Sequence, residues 1–129
     1  MLTQFSRTEL VFGHEEVESL RQKTVAVLGA GGVGSFAMEA LARVGIGRLV
    51  LIDKDVVDIT NINRQLPALH STVGKSKVAV MKERILDINP NCEVIALQIF
   101  LQTSQKNTFS TIPRIMLWMR LIQSAQRSR

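Results

Sequence analysis

The chain has a single cysteine, Cys92, among 129 residues. No internal disulfide can form, and such cysteine usage fits a reducing, cytoplasmic setting. There are only two histidines, His14 and His70. Neither has companion ligands nearby, so metal-site spacing is absent and each reads as a surface or loop side chain. No apolar run approaches the roughly 18 residues that suggest a membrane span. Met1 to Ser6 lacks the basic start and apolar core of a signal peptide. Acid is missing from residues 100–129, which hold Lys106, Arg114, Arg120, Arg127 and Arg129 but no Asp or Glu. The whole net charge of +5 therefore lies in that segment, because residues 1–99 carry 11 basic against 11 acidic side chains. A basic tail of this kind differs from a basic binding face, and the neutral remainder argues against a non-catalytic module that binds RNA or membrane by charge.

The residues that are present alternate between strand and helix patterns. Ser6-Arg7-Thr8-Glu9 has capping-box spacing, with Ser6 as N-cap and Glu9 at N3, and predicts a short helix. A second helical stretch is expected over Glu15–Arg21. Thr24 to Leu28 is a continuous apolar run, as a parallel strand buried on both faces requires. Gly29 to Gly34 forms a turn, and Ser35 to Val44 reads as a helix with Phe36, Ala40, Leu41 and Val44 on one face. Arg48 to Asp53 is the second strand, followed by a polar loop to about Thr72. Gly74 to Ile88 is helical, with Val78, Met81, Ile85 and Ile88 sharing a face, and Asn89-Pro90-Asn91 stops it. Cys92 to Ile99 is the third strand. The order β-α-β-α-β predicts an α/β fold, the N-terminal part of a doubly wound, Rossmann-like parallel sheet with right-handed crossovers.

Gly29-Ala30-Gly31-Gly32-Val33-Gly34 follows a strand and opens a helix, the context in which a G-x-G-x-x-G turn can cradle phosphate. The glycines let backbone N–H groups approach the anion, and the helix N-terminus adds partial positive charge. Asp53 closes the next strand about 20 residues on, where an acid can take ribose hydroxyls. This much fits an NAD-binding Rossmann domain of an oxidoreductase equally well. The loop that follows shifts the balance, because Arg64 and Lys77 supply cations that a departing pyrophosphate needs and hydride chemistry does not. Taken alone, each would read as an ordinary solvated side chain.

Together the G-x-G-G-V-G-S turn, the L-I-D-x-D-x-V strand end, the N-x-N-R-Q loop and the V-G-x-x-K helix start resemble the ThiF/MoeB/HesA superfamily of ubiquitin-activating-enzyme-like adenylyltransferases. The four motifs occur in order over residues 5–99. F-S-R-T-E-L near the start and D-I-N-P-N-C-E-V at the end point to the branch that acts on threonylcarbamoyl-modified adenosine in tRNA. The resemblance implies that Gly29, Gly31, Gly32, Gly34, Asp53 and Asp55 bind ATP, with Asp53 on the ribose. It places Asn61, Arg64, Gln65 and Lys77 around the phosphates, with Arg64 and Lys77 as catalytic positions. Arg7 would reach the ATP of a neighbouring subunit, which makes a homodimer the expected assembly. Magnesium would accompany the nucleotide, with no metal ligand in this chain. A carboxylate on the tRNA modification would be adenylated and would then cyclise with loss of AMP. Activation of a sulfur-carrier protein is the alternative within the superfamily.

The family pattern stops near Ile99, where a strand ending V-V-D-A-x-D and a lysine should follow. The segment from Phe100 could form an amphipathic helix with Ile115, Trp118, Met119 and Ile122 on one face. A change of reading frame near Phe100 accounts for it better. The shifted reading permits V-V-D-A-I-D and the lysine, and one position is forced, since Trp118-Met119 must be TGG-ATG and hides GAT, aspartate. Residues 1–99 are thus expected to be an incomplete nucleotide-binding half-domain, inactive by itself, and 100–129 a tail outside the family. Without further strands, Val25, Val27, Val50 and Leu51 are expected to lose cover.

Overall fold

The computed structural model describes residues 1–100, and the expectations for the tail lie outside the described residues. Two short helices, α1 (Ser6–Phe12) and α2 (His14–Leu20), precede β1 (Thr24–Leu28). Then come α3 (Gly34–Val44), β2 (Arg48–Ile52), α4 (Lys77–Ile88) and β3 (Glu93–Leu97). The three strands form a parallel sheet in the order β1-β2-β3, with Thr24 opposite Arg48 and Arg48 opposite Glu93. The α/β expectation holds, with boundaries moved by one to three residues.

Because both crossovers step the same way along the sheet, α3 and α4 cover one face of it. Val25, Val27, Leu49, Leu51 and Val94 pack there with Met38, Ala42, Val78, Met81 and Ile85. Ala26, Val50 and Ile52 form a second buried cluster on the opposite face. Val25, Val27, Val50 and Leu51 are all buried, contrary to the expected loss of cover.

Two local readings are corrected. Ser6 does not cap α1: Phe5 occupies that position, and the Ser6 hydroxyl accepts instead from the Thr3 N–H at 2.8 Å. The Glu9 carboxylate turns to His14, 3.1 Å away, so no capping box forms. On α3 the buried side chains are Ser35, Met38 and Ala42, while Phe36 and Ala40 face outward. Phe36 and Ala40 lie on the side of the helix that also carries Glu39 and Arg43, opposite Met38 and Ala42, so their apolar character does not mark the inner face.

Glu39 of α3 ties this helix to α4. Its carboxylate accepts from Arg84 at 2.7 Å and from Arg43 at 2.8 Å. The Arg84 and Arg43 guanidinium groups hold its pKa below the ordinary value of 4.5. A depressed folded-state pKa contributes stability that is present above the unfolded value and is lost as pH falls through the folded one. Both arginines are well exposed, so the effect is about 0.5 kcal/mol. Between pH 6 and pH 3 the urea midpoint of the wild-type chain is expected to fall further than that of Glu39→Gln. Equal falls would show that the pair contributes nothing.

Candidate nucleotide site

The glycine turn is built from backbone that tolerates no side chain at its ends. Gly29 has φ 88°, and a Cβ on Gly34 would lie 1.7 Å from the Gly29 carbonyl oxygen. These two glycines are therefore demanded by the turn itself. Gly31 and Gly32 are different. A Cβ on Gly31 would meet only Gln65 Nε2, at 3.7 Å, and one on Gly32 would meet only Arg64, at 3.8 Å or more. Nothing within the described chain requires these two to lack a side chain. The open backbone and the polar groups lying over it form a cradle that a Cβ would partly fill, which suits a polyphosphate.

Asp53 sits at the end of β2 and clamps the turn. One carboxylate oxygen accepts from the Ala30 N–H at 2.7 Å, the other from the Asp55 N–H at 2.7 Å. A carboxylate has about four acceptor positions, so room for ribose hydroxyls remains. Asp55 contributes through its backbone: its carbonyl accepts from the Lys77 N–H at 3.1 Å, while its side chain is exposed.

The loop after β2 is shaped by its own side chains. Asp58 accepts from the Thr60 N–H at 2.8 Å, and Asn61 Oδ1 accepts from the Asp58 N–H at 2.9 Å, closing a one-turn 3-10 helix over Ile59–Asn61. Hydrogen bonds from the Thr60 hydroxyl and N–H, with a smaller contribution from the charge on Lys77, hold the Asp58 pKa below its usual value. The Asn61 carbonyl accepts from the N–H groups of both Arg64 and Gln65. Arg64 Nη1 donates to the Thr60 carbonyl at 3.2 Å and to Asn63 Oδ1 at 2.8 Å. Gln65 Oε1 is buried and has no hydrogen-bond partner among the described residues.

Lys77 is the first residue of α4 and is only 6% exposed. Its ammonium has no ion pair among the described residues. Its charge instead acts at longer range on Asp58, whose pKa it helps to lower, and the packed stem fixes where that charge stands in the first turn of α4.

The fold thus brings Gly29, Gly31, Gly32, Gly34, Asp53, Asp55, Asn61, Arg64, Gln65 and Lys77 into one region. Arg7 stands apart, exposed on α1, with no hydrogen bond or ion pair to this region among the described residues. Sequence reasoning assigned no role to Ser35 or Asp58. The D-x-x-N spacing of Asp58 and Asn61 was the available signal for the second. Among the described residues no group of three His, Cys, Asp or Glu side chains is placed to hold a metal ion. Nor is any helix among them long and apolar enough to cross a membrane.

The ThiF family matches residues 5–117. A tRNA threonylcarbamoyladenosine dehydratase of Bacillus subtilis is 69% identical over 100 residues, which cover 78% of this chain and 39% of that protein. One from Escherichia coli is 47% identical over 96 residues, covering 74% of this chain and 36% of that protein. The crystal structure of E. coli tRNA N6-threonylcarbamoyladenosine dehydratase, TcdA, in complex with ATP superposes with a TM-score of 0.82 at 41% identity, covering 84% of this chain and 45% of that one. The chain spans less than half the length of each of these relatives.

Proposed function

Since this chain belongs to the ThiF family, we propose that residues 1–99 are the nucleotide-binding half of an ATP-dependent adenylyltransferase that acts on threonylcarbamoyladenosine in tRNA. The observation that carries the ATP reading is the placement of Arg64 and Gln65 over the open backbone of Gly32 and Gly31, with the buried Lys77 nearby. Asp53 takes the ribose, while Asn61, Arg64, Gln65 and Lys77 surround the phosphates. The parent reaction begins when a carboxylate oxygen attacks the α-phosphorus and the bond to pyrophosphate breaks. Arg64 and Lys77 take up the charge that develops on the leaving group. The acyl adenylate then cyclises and AMP departs. Magnesium bound with the triphosphate would neutralise part of its charge; among the described residues no cluster of His, Cys, Asp or Glu would hold it apart from the nucleotide. Arg7 serves a second copy's nucleotide across a homodimer, and the setting is the cytoplasm.

Calorimetry of the 129-residue chain is expected to show weak, saturable binding of ATP and none of NAD at the same concentration. NAD binding tighter than ATP would overturn the reading in favour of a dinucleotide domain. For residues 100–129 we propose a change of frame near Phe100, supported by the forced GAT within Trp118-Met119. The family match runs on to residue 117, into the segment that the shifted reading reassigns. Resequencing across codon 100 separates the two.

A further inference from the structure

We infer that Ser35 is a positioning residue that holds the Arg64–Gln65 loop over the glycine turn. Its side chain is fully buried in the first turn of α3. Alanine is the better helix former at such a position, and a buried hydroxyl must find partners. Ser35 finds two on different segments. Its Oγ donates to the Gly31 carbonyl and accepts from the Leu66 N–H at 3.3 Å. The first bond is the common link of a helical serine to the carbonyl four residues back. The second reaches across 31 positions of sequence to the residue directly after Gln65.

The loop is therefore pinned on both sides of the pair that overlies the turn. On the upstream side the Asn61 carbonyl accepts from the Arg64 and Gln65 N–H groups. On the downstream side the only pin of the Leu66 N–H among the described hydrogen bonds is Ser35. Because Ser35 also bonds Gly31, the same hydroxyl sets the spacing between the turn and the loop. Loss of the hydroxyl would free the Arg64 side chain, whose methylenes lie by Gly32, and the Gln65 amide by Gly31. No water can substitute easily at a site with no exposure.

The inference rests on the nucleotide reading for its consequence, but its geometry can be tested without nucleotide. In the unliganded 129-residue chain, Ser35→Ala is expected to speed amide exchange at Leu66 about tenfold, the size of one lost hydrogen bond, with the β1 and β2 amides unchanged. Unaltered exchange at Leu66 would overturn the proposal. With ATP as the probe, the same variant should lower affinity about tenfold. Arg64→Ala should then cost less affinity in the Ser35→Ala background than in wild type, because residues acting through one arrangement are not additive. Strictly additive losses would show that Ser35 acts only on stability and would also overturn it. If wild type fails to bind ATP, the nucleotide reading fails, while exchange at Leu66 still decides whether Ser35 holds the loop.

Discussion

Gly34→Ala is expected to destroy the fold around the glycine turn, whereas Gly31→Ala leaves the fold intact and removes nucleotide binding. The contrast comes from what each new methyl group would meet. At Gly34 it would lie 1.7 Å from the Gly29 carbonyl oxygen and 2.8 Å from its carbon. Both are backbone atoms at the junction of β1 and α3, and no rotamer change can move them aside. Overpacking against backbone costs about 3 kcal/mol or more, a large share of the stability of a small domain. At Gly31 the only neighbour is the end of the Gln65 side chain, 3.7 Å away, which is ordinary contact. Stability should change by less than about 1 kcal/mol there, but the methyl would occupy the space through which a phosphate approaches the backbone N–H groups. Denaturant unfolding and ATP calorimetry on both variants would check this. A stable Gly34→Ala chain would mean that the turn differs from the one described. Unchanged ATP affinity in Gly31→Ala would place the phosphates elsewhere.

Replacing Lys77 should separate binding from stability more sharply still. Lys77→Met keeps most of the packed aliphatic stem and removes the ammonium, which makes no ion pair among the described residues. The attraction of that ammonium to Asp58 is a minor one, so the ligand-free protein is expected to stay within about 0.5 kcal/mol of wild type. ATP affinity is expected to fall between about tenfold and a hundredfold, the loss that follows removal of a charged hydrogen-bonding partner. Binding is lost while stability is kept, which a purely structural lysine would not produce. An ATP affinity untouched by the substitution would remove Lys77 from the phosphate site, and a strongly destabilised variant would identify the lysine as part of the core.

Much of this was legible in the sequence because it is encoded locally. The apolar run Thr24–Leu28, the turn Gly29–Gly34 and the strand ending at Asp53 follow one another at a spacing that few arrangements other than a βαβ unit satisfy, and the helix ending at Asn89 carries its own stop signal. Side-chain periodicity, glycine placement and strand length are properties of short segments, so they survive without knowledge of the partner. Identity of the helix start was less secure. Ser6 and Glu9 have capping-box spacing, yet Thr3 and His14 take their side chains, because any short polar side chain near a helix start can be claimed by whichever backbone or charge lies closer.

The sequence alone determined the α/β order of elements and the glycine turn between β1 and α3, since each depends on residue type at fixed offsets along the chain. Only the tertiary structure decided that Phe36 and Ala40 lie on the exposed side of α3 beside Glu39 and Arg43, for apolar character at one position does not fix how the sheet receives the helix. It also decided that Asp53 clamps the turn through the Ala30 and Asp55 N–H groups and that Lys77 is buried. The link from Ser35 to Leu66 belongs with these. Each of them joins segments distant in sequence, and no local pattern can report a contact whose partner is set by the packing of the whole.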